Sequence, residues 1–289
     1  MTTRTEILMD TLVTMQVSAA GAEDAVERAF GWFREIEARC SRFDPESELM
    51  QLSAHAGLAV PASAILFEAV QFSLRLAEET SGAFDPTIGL SMEKRGFNRD
   101  YRSGKRIRTS IAHAAGVSYR DVQLDAARRT ILLRRPLVLD LGAVAKGLAV
   151  DMAARELRPF RNFAIDAGGD LYLGGSNPQG EPWSAGIRHP RQAGIWMDAF
   201  QIADQAVCTS GDYARRQHIL DPRTREAAGT VASATVIAEN ALLADGLATA
   251  AFVFGPIEGL ALLNRLGVEG LIVTPDLKRY ETRGLRRAA

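Results

Sequence analysis

The sequence predicts a mixed α+β protein that forms one continuous body. Three observations carry this reading. Segments with apolar residues at helical spacing lie near both ends of the chain, and short strand-like runs broken by Gly, Pro, Asn and Asp fill much of its second half. The two kinds of segment neither alternate strictly, as a doubly wound sheet requires, nor fall into separate blocks. With 289 residues the chain has the length of two ordinary domains or one large one, and no repeat, low-complexity stretch or linker divides it.

Glu6–Val17 alternates and is rich in Thr and Val, which predicts a strand. Ala22, Ala25, Val26, Ala29, Phe30, Phe33 and Ile36 recur at helical spacing and predict a helix to Cys40. Ser41–Leu49 reads as a polar turn with a short helical start. A second helix is expected from Ala62 to Thr80, opened by Pro61 and closed by Gly82. The arginine-rich stretch Glu93–Arg108 reads as an exposed loop. Strands are expected at Val122–Leu124, Thr130–Leu133 and Leu137–Asp140, followed by a helix over Lys146–Leu157. Further strands are expected at Phe163–Asp166, Leu171–Leu173, Trp183–Ile187, around Val207, and at Val231–Ile237. Helices over Asn240–Phe254 and Pro256–Leu266 precede a last strand pair near Leu271 and Arg279.

Hydrophobic residues make up 47% of the chain and charged residues 24%, so the chain can bury a core and is not disordered. The 34 basic residues nearly cancel the 35 acidic ones, leaving no global field for nucleic acid or an anionic membrane. Any ligand must be held by a local site. Cys40 and Cys208 have neither the spacing of a zinc site nor that of a disulfide framework, and reduced thiols are the expectation. No apolar run has the length of a membrane span, and Met1–Met9 is too short and polar for a signal peptide, so a cytoplasmic location is expected.

The Rossmann and P-loop fingerprints are absent. Asp166-Ala167-Gly168-Gly169-Asp170 either lets backbone approach a ligand with Asp170 turned inward, or is a hairpin turn. Thr209-Ser210-Gly211-Asp212-Tyr213 either holds phosphate oxygens in a backbone nest or ends a strand. Asp245 and Thr249, four apart in an apolar helix, share a face and form either a pair of hard oxygen ligands or a satisfied buried polar pair. Gly246 between them costs the helix ~1 kcal/mol against alanine, a cost that asks for a reason. Asp140–Gly147 joins an expected strand to a helix and presents free backbone groups, an acid and one of the scarce lysines, a combination suited to an anionic ligand or to a plain loop. His218, in His218-Ile219-Leu220-Asp221-Pro222, has the side chain best suited to take a proton near neutral pH.

The order of these motifs resembles the ApbE family, the FAD:protein FMN transferases. The resemblance rests on Met9-Asp10-Thr11, Ser41–Leu49, Ser81–Thr87, Asp140–Asp151, Gly168-Gly169-Asp170, Thr209–Tyr213, His218–Pro222 and Ala244–Ala250, which together span nearly the whole chain. It implies two intimately joined mixed α/β subdomains with FAD in the cleft between them, and Mg²⁺-assisted transfer of FMN from FAD to a Ser or Thr hydroxyl of a target protein, releasing AMP. By position, it implies Mg²⁺ ligation by Asp245, Thr249 and the Ala143 carbonyl. It also implies FAD contacts at Met9, Phe43, Ala83, Phe84, Asp85, Asp140, Lys146 and Ile219, joined by Gly169, Asp170, Ser210, Gly211 and Asp212 from the clusters above, with His218 as the base. The implied partners are FAD and an acceptor protein, with no nucleic acid and no membrane segment.

One departure stands out: the family has Met-Gly-Thr where this chain has Met9-Asp10-Thr11, which brings a side chain and a negative charge to that point. Three alternatives share the same residues: an FAD pyrophosphatase that uses water in place of the protein hydroxyl, a non-catalytic FAD-binding protein, and Asp245–Thr249 itself as the flavin acceptor.

Overall fold

A computed structural model describes residues 1–112, 114–212, 218–285 and 287. Strands β1 (Thr2–Leu8) and β2 (Thr11–Val17) pair antiparallel from Thr2↔Val17 to Leu8↔Thr11. The single strand expected over Glu6–Val17 is thus a hairpin. Met9 and Asp10, at φ +51° and +61°, form its two-residue turn, with the left-handed backbone that matches strand twist. Asp10 therefore occupies a conformation in which glycine is unstrained, and aspartate is among the few other residues that tolerate it.

Helix α1 (Glu23–Cys40) buries Ala25, Val26, Ala29, Phe30, Phe33 and Ile36, the stripe read from the sequence. Helix α2 (Glu48–Ala54) starts where the Ser47 hydroxyl accepts from the Met50 N–H at 3.1 Å. Pro61 closes strand β3 (Ala59–Pro61) and does not open the next helix. That helix, α3 (Ala64–Glu79), is capped by Ser63, whose hydroxyl accepts from the Leu66 N–H. A 3₁₀ turn over Pro86–Ile88 leads into α4 (Gly89–Lys94).

Strands β4 (Val122–Asp125) and β5 (Thr130–Leu133) follow. The strand expected at Leu137–Asp140 is absent: Val138 O accepts from the Gly89 N–H at 3.1 Å and the Asp140 N–H donates to Pro86 O at 2.7 Å. These groups are satisfied at the head of α4 instead of in a ladder. Helix α5 (Gly142–Leu157) begins about one turn ahead of the expected start at Lys146. Strands β6 (Phe163–Ala167), β7 (Asp170–Gly174), β8 (Trp183–Arg188), β9 (Trp196–Ile202) and β10 (Gln205–Gly211) come next. Strand β9 was not expected, because its first residues do not alternate in burial and Trp196 is 63% exposed. The short pair β11 (Leu220–Asp221) and β12 (Glu226–Ala227), strand β13 (Ser233–Ala238), helices α6 (Ala241–Phe254) and α7 (Pro256–Leu266), and strands β14 (Glu269–Val273) and β15 (Arg279–Glu281) complete the order.

The chain divides into two compact units, neither continuous in sequence. The first comprises Met1–Arg34, Lys146–Ile219 and Ala228–Ala289; the second comprises Glu35–Ala145 and Leu220–Ala227. The first unit is built on an eight-stranded sheet in the order β1-β2-β6-β7-β10-β13-β14-β15, antiparallel throughout. Helices α6 and α7 pack on β10, β13 and β14. Residues of opposite parity on those strands, Val207, Ile237, Leu271 and Val273, form a core with Ala185, Ile187, Phe200 and Ile202 of the β8–β9 ribbon. The second unit holds α2, α3, α4 and a three-stranded sheet ordered β3-β5-β4, with Met50, Leu90 and Val138 clustered beside Ile111. Cys40 and Cys208 are buried free thiols; burial pushes Cys40 up to about 12 and Cys208 well above its ordinary value, so both behave as small apolar side chains. No helix among the described residues is long and apolar enough to cross a membrane.

Candidate active site

In the first unit, three elements bring Lys146, Asp170 and Asp245 together. Gly168 and Gly169, at φ +68° and +100°, form the turn of the β6–β7 hairpin, with Ala167 paired to Asp170. Asp166 secures that turn by accepting from the Gly169 N–H at 2.8 Å. A side chain on Gly168 would strike Thr11, the first residue of β2, so the Met9-Asp10 turn and the glycine turn adjoin. The hairpin and inward-acid readings of this motif are therefore both realised. Asp170, at 2% exposure, accepts from the Thr209 N–H at 3.2 Å and pairs with the Lys146 ammonium.

The Lys146 ammonium also lies 3.5 Å from Asp245 on α6, which is 6% exposed. Lys146 is thus no plain surface lysine. Gly147 explains its position: a Cβ there would sit 2.5 Å from the Ala241 carbonyl, so only glycine lets α5 approach the start of α6 so closely. One ammonium faces two carboxylates, which leaves one net negative charge in a sheltered place.

Strand parity places Cys208 and Ser210 on the helix side of the sheet, where the Cys208 thiol meets the Ala241 carbonyl at 3.7 Å. The Ser210 hydroxyl lies 3.0 Å from the Thr249 hydroxyl, one turn along α6 from Asp245. Thr209, Ser210 and Gly211 close β10, paired with Thr235, Ala234 and Ser233, and Asp212 begins the turn after it, so the run ends a strand. Asp212 follows, its carboxylate held by Arg191 at 2.7 and 3.0 Å. Tyr213 lies outside the described residues. His218 and Ile219 are half-buried, and the Ile219 carbonyl accepts from the Ala228 N–H at 3.0 Å.

Asp151, five residues after Lys146 on α5, accepts from the Ala241 and Leu242 N–H groups at 2.7 and 2.9 Å and so secures the start of α6 from outside it. Burial raises its carboxyl to about 6, against the pull of those two N–H groups. A carboxyl that holds its proton more tightly in the folded state stabilises the fold most below its unfolded value and loses that contribution as pH rises through the folded one. The stability difference between wild type and Asp151→Asn should therefore fall by up to about 3 kcal/mol between pH 4 and 7. Urea titrations at several pH values measure it, and a flat difference would contradict it.

In the second unit, Arg42 is the organising residue. Its side chain, 8% exposed, donates to Asp140 at 2.6 Å and to the Phe97 carbonyl at 2.6 Å, and lies 4.2 Å over the Phe43 ring. Asp140 also accepts from the Gly142 N–H at 2.9 Å. Ala83, Phe84 and Asp85 are buried; Asp85 accepts from the Thr87 N–H and hydroxyl and, at 2.9 Å, from the Tyr119 N–H. Burial raises its carboxyl above the usual range while those bonds oppose the shift. Ala143 lies in the first turn of α5. Sequence reasoning did not single out Arg42 or Asp151. Arg42's place beside Phe43 was the available signal for the first, and Asp151's place within an apolar helix for the second.

Among the described residues, no three His, Cys, Asp or Glu side chains are grouped to hold a metal. The set around Asp245 is of another kind, a buried carboxylate with hydroxyls one turn away and a second carboxylate across the lysine. All its donors are hard oxygens and its net charge is negative, which suits Mg²⁺ better than a softer ion.

A family model described as the ApbE family matches residues 9–272. A Rhodobacter capsulatus protein named FAD:protein FMN transferase is 30% identical over 291 residues, covering 94% of this chain and 55% of that protein. The chain thus spans about half of that relative. A Vibrio cholerae protein of the same name is 30% identical over 274 residues, covering 85% of this chain and 79% of its own length. The crystal structure of the ApbE protein of Thermotoga maritima superposes with a TM-score of 0.86 at 28% identity, covering 98% of this chain and 97% of that one.

Proposed function

The chain belongs to the ApbE family, and from that premise we propose that it is a flavin transferase that moves FMN from FAD to a Ser or Thr hydroxyl of an acceptor protein, with Mg²⁺, and releases AMP. The observation that carries the mechanism is the pair of buried carboxylates, Asp170 and Asp245, on the single ammonium of Lys146, one helical turn from the Ser210–Thr249 hydroxyl pair. This reading treats residues 1–289 as one flavin transferase domain.

FAD is held in this reading by Met9, Lys146, Gly169, Asp170, Ser210, Gly211 and Ile219, and by Phe43, Ala83, Phe84, Asp85 and Asp140, with Asp212 holding Arg191 at the end of β10. Phe43, stacked on Arg42, offers an aromatic wall for a ring system. Asp245 and Thr249, with the carbonyl of Ala143, would hold the metal, which when bound supplies charge neutralisation on the pyrophosphate. The acceptor oxygen bonds to the FMN-side phosphorus as the bond from that phosphorus to the bridging oxygen breaks. His218 takes the hydroxyl proton, and AMP leaves with the bridging oxygen. Lys146 fixes the two carboxylates while the ligand is bound.

The test is incubation with FAD and Mg²⁺, with and without a Ser/Thr peptide, followed by chromatography for AMP and FMN and by mass spectrometry. AMP release in step with FMN-labelled peptide is expected. Free FMN in step with AMP, with no labelled peptide, would show hydrolysis and overturn the transferase reading. Label on Thr249 of the intact protein would instead make that residue an acceptor. His218→Ala is expected to slow transfer ~10² to 10⁴-fold, the usual worth of a positioned base, with little change in KM for FAD. A rate within twofold of wild type would remove His218 from the proton transfer.

A further inference from the structure

We infer that the cationic hairpin over residues 98–107, with the concavity at its base, is the docking surface for an acidic segment of the acceptor protein; this rests on the reading above that the acceptor is a protein. The hairpin is well built. Asn98, 7% exposed, donates from its side chain to the Ile107 carbonyl at 2.8 Å and accepts from the Ile107 N–H at 2.7 Å on its backbone oxygen. Arg99 and Arg106 form an antiparallel bridge, and the Asp100 N–H donates to the Lys105 carbonyl at 2.9 Å.

What sets the surface apart is its unbalanced charge. Its own two carboxylates are occupied by nearby N–H and hydroxyl donors. Asp100 accepts from the Ser103 hydroxyl and N–H and from the Arg102 N–H, which hold its carboxyl below the usual range, the Ser103 hydroxyl foremost. Glu93 accepts from the Thr109 N–H at 3.2 Å. Arg102 alone among the local cations is paired, with Glu37 at 2.5 Å. Lys94, Arg95, Arg99, Lys105, Arg106 and Arg108 are exposed and form no ion pair with a described carboxylate.

Elsewhere some exposed arginines find acids, as Arg39 does with Glu35 and Glu48 and Arg287 with Asp198 and Glu281, and others such as Arg129, Arg161 and Arg188 form no ion pair with a described carboxylate; the cations between Lys94 and Arg108 are set apart by their density. On a chain of net charge -1, the six cations from Lys94 to Arg108 without a described acid partner make a dense positive patch, where like charges repel until an anion arrives. The concavity, about 320 Å³, is lined by Lys94, Arg106 and Arg108 with Glu93, Gly96 and Asn98. It has the size of a few side chains, and a guanidinium fork matches a carboxylate in two hydrogen bonds. Residue 97, directly before the hairpin, is held through its carbonyl by Arg42, the same side chain that holds Asp140 and covers Phe43. A segment docked there would be registered against a fixed framework.

The full chain should be titrated by fluorescence anisotropy with a labelled peptide of Glu and Asp around one Ser, its Gln/Asn counterpart, and a single-stranded oligonucleotide of equal length, with inorganic phosphate as competitor. The acidic peptide should bind at least about tenfold more tightly than the neutral one, and weaken several-fold from 50 to 300 mM NaCl. Lys94→Glu/Arg106→Glu/Arg108→Glu should remove that preference, and Arg106→Gln/Arg108→Gln should halve it or more, with unchanged melting and unchanged KM for FAD. Equal binding of the two peptides, binding unaffected by the variants, tighter binding of the oligonucleotide, or full competition by millimolar phosphate would each overturn the inference. Binding is read without turnover, so it stands or falls separately from the flavin transfer assay.

Discussion

Asp245→Ala abolishes FMN transfer while keeping the fold: this is the expected result, with kcat/KM down by at least ~10³ and thus several kcal/mol of transition-state stabilisation lost. The two halves of the prediction come from the same geometry. Asp245 is the buried acid one turn from Thr249 and the carboxylate that would face the pyrophosphate charge with a metal between. It is also the more distant of the two acids on Lys146, at 3.5 Å, so its removal leaves the Lys146–Asp170 pair neutral and intact. Alanine is the best residue for the interior of α6. Unfolding in urea should therefore be at least as difficult as for wild type. Added Mg²⁺ should raise the melting temperature of wild type and not of the variant, because only a bound ion contributes to stability. AMP release that persists in Asp245→Ala would remove the metal assignment.

Lys146→Met should have the opposite signature and lose about 3 kcal/mol of stability, the usual scale for stripping one partner from buried ions. Asp170 and Asp245 would then face each other with no cation between them, at side-chain exposures of 3% and 8%. Adding Asp245→Asn to Lys146→Met should return part of the loss, since one of the two charges goes. Urea midpoints of the three proteins measure this. Equal midpoints for wild type and Lys146→Met would show that the lysine carries no structural weight.

These two residues also show what was legible beforehand. Asp245 and Thr249 could be paired from spacing alone because a helix fixes which residues share a face. The Lys146–Asp170 contact could not, since it joins residues far apart along the chain and depends on Gly147 admitting the Ala241 carbonyl, which no local pattern reveals. The same limit explains the strand misread at Leu137–Asp140, whose β-like residues are satisfied by Pro86 and Gly89, and the hairpin hidden within Glu6–Val17, whose turn carries no glycine. Helix stripes such as Ala25–Ile36 were read correctly because burial repeats locally and needs no partner to be known. Arg42 was passed over because its meaning lies in Asp140, far along the chain.

The interleaving of the two units has a consequence for how the protein is made. Strand β2 pairs with β6, Val13 opposite Ala167, so the first hairpin leaves the ribosome with an unpaired edge. At ~5 to 20 residues per second, its partner follows on the order of ten seconds later. During that interval helix α1 can cover the face of Val13, Met15 and Val17, since Thr2, Arg4 and Glu6 opposite them meet Glu23, Glu27, Phe30 and Arg34, but the backbone edge of β2 that will pair with β6 stays open. Slow, non-local closure of this kind is where aggregation competes with folding, so the yield of folded protein should depend on chaperone supply and growth temperature more than its final stability suggests.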